Sequence, residues 1–166
     1  MDLRITKTEQ SIRSAFYTLR QKQPLEKLRI NELCALAQIN KSTFYRHYLD
    51  IFDLSDTLER ELLEKVTSGF SSAGQLYTDP EAFVTGLHQA IFPYRDEIAL
   101  LFSGRILTFA DRIEAWLSEL YLNADSTEEE KITLSFLVGG AIHSFLSPGF
   151  RYEDTAHTIV KLLQKL

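Results

Sequence analysis

Apolar residues recur at three- and four-residue spacing along most of the chain, with no sustained two-residue alternation, so the pattern predicts helices and no sheet. Ile12, Ala15, Phe16 and Leu19 form the stripe of a first helix, about Thr6 to Gln21. "KQPLEK" interrupts it, because Pro24 biases Gln23 away from helix. A short second helix, about Ile30 to Ala37, buries Ile30, Leu33, Cys34 and Ala37. "QIN" then turns the chain, and Asn40 suits the N-cap of a third short helix, Lys41 to Tyr48. A longer helix follows, about Phe52 to Phe70, with Leu54, Leu58, Leu62, Val66 and Phe70 on one side, fading into "SGFSSAG".

The second half repeats the same logic. "TDPEAF" restarts a helix, with Asp79 as cap and Pro80 in its first turn, and Pro93 kinks or ends it. "RILTFADRIEAWLSELYL" puts Ile106, Phe109, Ile113, Trp116 and Leu120 on one face. "STEEEKITLSFLVGGAIHSFLSPG" opens with a capping box from Ser126 to Glu129, and its three glutamates complement the helix dipole. A last helix runs from about Glu153 to Leu166. The expected fold is all-α.

Composition narrows the class. The chain has 166 residues, 45% of them apolar and 11% aromatic, so it is neither disordered nor short of core. A single cysteine, Cys34, excludes an internal disulfide and a cysteine-based zinc cluster, which fits a reducing compartment. The start of the chain lacks an apolar core of signal-peptide length, and no uncharged apolar stretch is long enough for a membrane helix. These features place the protein in the cytoplasm, with no membrane partner. Charge is uneven: residues 1–50 hold nine Lys/Arg against five Asp/Glu, net +4, and residues 51–166 hold nine against eighteen, net −9. A basic unit therefore precedes an acidic body, as expected of a nucleic-acid-facing end or of a solvated basic face.

The basic unit concentrates hydrogen-bond donors in "INKSTFYRHYLD". Two short helices joined by a three-residue turn after a longer helix make a helix-turn-helix, in which the second short helix reads DNA. At 3.6 residues per turn, Tyr48 lies about 40° from Phe44, so both face inward, and Ser42 and Arg46 lie about 160° and 200° away. Thr43 and Tyr45 flank that outward face, His47 sits at its edge and Lys41 at the helix start. Arg46 suits guanine or phosphate, Ser42 and Thr43 suit base edges, and Tyr45 and Lys41 suit phosphates. A solvated helix face would look the same by rotation alone.

"INELCALAQINKSTFYRHYLDIFDL" resembles the DNA-binding signature of TetR-family transcriptional regulators. There a helix-turn-helix ends in a Thr-aromatic-Tyr run, here Thr43-Phe44-Tyr45, and passes through an aromatic residue and a short turn into a long connecting helix. The resemblance is specific over about residues 5–60 and architectural beyond them. It implies a helix-turn-helix domain over residues 1–50 and a helical effector-binding and dimerisation domain over 51–166. It also implies operator DNA contact by Lys41, Ser42, Thr43, Tyr45, Arg46 and His47, with Asn31, Arg4 and Lys7 as backbone supports. Two positions depart from the family pattern: Gln38 stands where the turn usually has glycine, and Ile51 where many members have a phosphate-gripping lysine.

In the acidic body, Phe136 to Leu146 is apolar nearly all round and holds Gly139 and Gly140. Mid-helix glycines cost about 1 kcal/mol each against alanine, which close approach of another helix would offset. With Ile159, Val160, Leu162, Leu163 and Leu166 this segment suits a four-helix homodimer interface; the alternative is the core of a monomer. Candidate ligand contacts are His88, Phe92, Phe102, Phe109, Trp116 and His143, which would suit an apolar or planar small molecule. Aromatic residues at this spacing equally suit a core. No Gly-rich phosphate loop, metal-ligand spacing or nucleophile elbow occurs, so neither an enzyme nor a cofactor or metal is expected. The function expected is a DNA-binding regulator, a repressor more often than an activator. The alternative is an interaction protein of the same fold that acts through a protein partner without binding an operator.

Overall fold

The computed structural model describes residues 3–147 and 149–165, with side chains from residue 7 onward. All regular structure among them is helical. The chain divides into two compact units, Met1–Glu61 and Leu62–Leu166. The packing boundary falls inside the long fourth helix, later than the end of the basic segment at residue 50, because Leu54 and Leu58 are buried in the first unit.

The first unit contains α1 (Leu3–Arg20), α2 (Ile30–Ala37), α3 (Lys41–Phe44) and the opening turns of α4 (Ile51–Gly69). Its core is Ile12, Ala15 and Phe16 from α1, Leu33, Cys34 and Ala37 from α2, then Phe44, Tyr48, Ile51, Leu54 and Leu58; Leu19 and Ile30, expected inside, are only half-buried at its edge. Leu25 and Leu28 close its edge from the loop after α1. Filling this space matters because fully burying one such side chain contributes about 1.5–3 kcal/mol.

A polar network also crosses this unit. The Arg13 guanidinium forks onto the Glu61 carboxylate, Nη1 reaching Oε2 and Nη2 reaching Oε1, the latter at 2.7 Å. Nη2 also donates to Glu9 Oε1, one turn earlier on α1, at 2.7 Å. The same oxygen accepts from the Tyr48 hydroxyl at 3.4 Å. The Glu61 hydrogen bonds, above all, hold Arg13 more firmly protonated than an ordinary arginine.

The second unit contains the rest of α4, then α5 (Pro80–Ile91), α6 (Arg95–Leu101), α7 (Ile106–Tyr121), α8 (Glu128–Leu146) and α9 (Tyr152–Leu163). Asp79 caps α5 by accepting from Ala82 N at 3.0 Å, with Pro80 at the first position. Pro93 sits in a single 3₁₀ turn, Phe92–Tyr94, between α5 and α6. Helix α7 packs along α8, and α9 packs against α5 and α8. Phe83, Leu87, Ile91, Ile98, Leu101, Phe109, Ile113, Leu134, Val138 and Ile142 make the core. Tyr121 pins α7 to the turn before α5: its hydroxyl donates to Ala73 O and accepts from Leu76 N at 2.8 Å.

Three details differ from the expectations. The capping box of α8 is Thr127 with Glu130, not Ser126 with Glu129. Thr127 Oγ1 accepts from Glu130 N at 3.2 Å, and Glu130 Oε2 accepts from Thr127 N at 2.8 Å. Both registers satisfy the motif, but the Ser126 hydroxyl is engaged by Asn123 N at 3.0 Å, so the helix starts one residue later. The third helix is α-helical only to Phe44. Beyond it Arg46 N and His47 N bond three residues back, the tightening common where a short helix ends. Asn40 occupies the N-cap position with extended backbone, but its side chain makes no capping bond. No helix among the described residues is long and apolar enough to cross a membrane.

Candidate nucleic-acid interface

The turn between α2 and α3 depends on one residue. Gln38 takes φ 57°, ψ 44°, the left-handed conformation, and its N–H bonds back to the end of α2. A non-glycine residue there costs roughly 1–2 kcal/mol. The packing that over-determines the turn is Ala37 before it and Phe44 after it, both buried.

From that turn the chain presents two kinds of side chain. Phe44 and Tyr48 are buried, their rings 5.9 Å apart. Lys41, Ser42, Tyr45 and Arg46 are exposed, Thr43 and His47 half-buried. Tyr45 is 54% exposed and stands edge-on to Phe44 at 5.6 Å, which braces its ring. Arg46 folds back to donate to Thr43 Oγ1 at 3.3 Å, which orders the guanidinium over the exposed face. These six candidates fall within seven consecutive positions, interrupted by the buried Phe44, and four of them are exposed.

The three supporting candidates lie elsewhere. Asn31 is exposed and lines an open cleft at the start of α2, together with Arg29, Asp50, Ile51 and Phe52. Lys7 lines a separate cleft with Ser11, Leu36 and Gln38. The Arg4 side chain lies outside the described residues. Arg29 escaped the sequence reading. It is exposed beside Ile51, where the expected lysine is missing, and its place just before the first apolar residue of a short helix was the available signal. The start of α4 carries the opposite charge: Asp50 Oδ1 accepts from Asp53 N, and Asp53 Oδ2 accepts from Leu49 N, both at 2.8 Å.

The candidate ligand residues lie in differing surroundings. Phe102 and Phe109 are in the core, rings 5.2 Å apart. Trp116 is half-buried, 6.1 Å from the Phe70 ring. His88 sits against Phe92, Phe145 and Tyr152 at 4.8, 5.2 and 3.8 Å between ring centres. Phe92 is exposed under the Arg95 guanidinium, and His143 is exposed, 3.4 Å from the Ser147 hydroxyl. None of the six lines the apolar cleft of about 270 Å³ between α8 and α9, which is walled by Phe136, Leu137, Gly140, Phe150, Ile159 and Leu162. Around that cleft Phe136 is 76% exposed, Ile132 66% and Phe150 59%. A Cβ added to Gly139 or Gly140 would meet nothing within 4 Å among the described residues, so there is open space at both glycines.

No protein-family model and no curated protein matches the chain.

Proposed function

We propose that the protein is a transcriptional regulator of TetR type, a homodimer that binds double-stranded operator DNA. One observation carries the reading: Lys41, Ser42, Tyr45 and Arg46 stand together in solvent while Phe44 and Tyr48 of the same segment are anchored in the core. That division suits a helix-turn-helix whose second helix enters the major groove, with Arg46 and Ser42 at base edges and Tyr45 and Lys41 at phosphates. The net +4 of residues 1–50 against the net −9 of the remainder favours approach by that end only.

The uncovered apolar surface of α8 and α9 supports the homodimer. Gly139 and Gly140 leave room for the backbone of a second copy, and Phe136 and Ile132 supply area that water disfavours. Two recognition helices then meet half-sites roughly 34 Å apart. Control by an apolar or planar small molecule, or by a protein partner, works through its differential affinity for two dimer states, not through tight binding alone. Helix α4, which begins in one unit and ends in the other, is the continuous element available to carry it. Repression is the expected output.

The test is fluorescence anisotropy on DNA from around the protein's own gene, at several salt concentrations, with the native protein and Tyr45→Ala/Arg46→Ala. Specific binding that weakens with salt and is lost in the double variant is expected. Equal affinity for random DNA would sink the reading. A second reading, an interaction protein acting through a partner without operator contact, draws on the Asp50 and Asp53 carboxylates at the start of α4, which repel phosphate there. It is favoured if the double variant leaves all binding unchanged.

A further inference from the structure

We propose that Arg13 is a positioning residue, whose fork onto Glu61 and Glu9 sets the angle between α4 and the DNA-reading segment, Lys41 to Tyr48; the inference rests on the DNA reading above. The apolar contacts of Phe44, Tyr48, Leu54 and Leu58 hold these elements together. Such contacts are non-directional and fix proximity better than angle. A forked arginine–carboxylate pair is directional, with two parallel bonds in one plane. Here the fork ties α1 to α4, and through Glu9 Oε1 the Tyr48 hydroxyl is tied to the same guanidinium. The three charged side chains are only 25–35% exposed, so water screens the pair less than an open surface bridge.

Arg13 has a part that neither carboxylate has, because it bonds both, Glu9 on its own helix and Glu61 on α4. Removing it breaks both bonds and this tie between α1 and α4 with them. Removing Glu61 instead leaves the Arg13–Glu9 pair intact. Arg13→Gln therefore releases Glu9, and through it Tyr48, as well as Glu61, whereas Glu61→Gln leaves the Glu9 link in place. Lysine keeps the charge but cannot fork, so Arg13→Lys falls between.

Two measurements on the full-length protein test this. In the first, DNA carrying the site is compared with versions having one base pair added or removed between the half-sites. Arg13→Gln is expected to weaken binding at the native spacing about tenfold and to shrink the penalty for altered spacing. A variant that was merely less stable would lose affinity for every spacing in parallel, and that result overturns the proposal. The second needs no DNA. Amide exchange of the free protein is expected to quicken in Tyr45 to Tyr48 and the first turns of α4, and to stay unchanged in Leu33 to Ala37. Uniform quickening, or none, also overturns it. If exchange changes locally but the native protein prefers no DNA, the proposed function fails and the positioning role goes with it. Should Arg13→Gln not fold, Arg13→Lys carries both measurements.

Discussion

His88 shows how one side chain reports on its surroundings. It lies on α5 with its ring 5.2 Å from Phe145 on α8 and 3.8 Å from Tyr152 on α9, so three helices meet around it. Burial pushes its pKa below the ordinary 6.5, against an opposing pull from Glu153. The depressed value means that the folded state resists protonation more than the unfolded chain does. The stability this contributes is full above about pH 6.5 and is lost as pH falls from there through the folded-state pKa. Thermal unfolding between pH 7.5 and 5.5 is expected to show a Tm falling with pH, less steeply in His88→Gln; equal slopes would assign the trend to other groups. The sequence marked His88 as a polar group among apolar neighbours. It did not show Phe145 and Tyr152 as its partners, because they lie on helices far along the chain. Gln38 is the converse case: a missing glycine in a tight turn was readable from sequence, and the left-handed conformation follows from the turn itself.

At the scale of elements, helix positions were legible almost throughout, because they follow from local spacing and from Gly, Pro and capping residues. The spans of α2 and α5 and the Asp79 cap agree with the sequence reading. Ends were less legible. Ser126–Glu129 and Thr127–Glu130 are equivalent as motifs, and only the hydrogen bond from Asn123 N to Ser126 Oγ separates them. Thr127→Ala is expected to cost about 1 kcal/mol by urea unfolding, the usual cost of a lost N-cap. Ser126→Ala should cost clearly less; the reverse order would return the cap to Ser126. Packing faces were also read incompletely. Leu120 falls on the expected apolar face of α7 yet is 53% exposed, while Leu117 is fully buried. A one-residue rotation of a stripe is within what a helix absorbs when its neighbours dictate the contact.

At the scale of the whole molecule, the decisive feature is the exposed apolar surface of α8 and α9. Phe136→Glu, at 76% exposure, removes nothing from the core. It is expected to leave helix content and unfolding temperature near native. If the proposed homodimer forms through this surface, the substitution weakens self-association by at least about thirtyfold, as loss of an interface anchor does. Sedimentation over a range of concentrations reads both states. A Phe136→Glu protein that stays dimeric would move the interface off α8 and α9.

The amino-acid sequence by itself determined that the chain is helical, where most helices begin, most of the residues inside the first unit, and that Lys41, Ser42, Tyr45 and Arg46 lie outside. All of these follow from the 3.6-residue repeat and from local backbone chemistry, which need no knowledge of distant neighbours. Only the tertiary structure decided that Phe102 and Phe109 belong to the core, and that Gly139 and Gly140 have open space where a Cβ would stand. Only it joined Arg13 to Glu61 across 48 positions of chain. A helix that is apolar on every side has the same sequence whether a neighbour covers it or not, and a charged side chain carries no local sign of its partner. Those outcomes are settled by packing, when distant segments compete for the same surface.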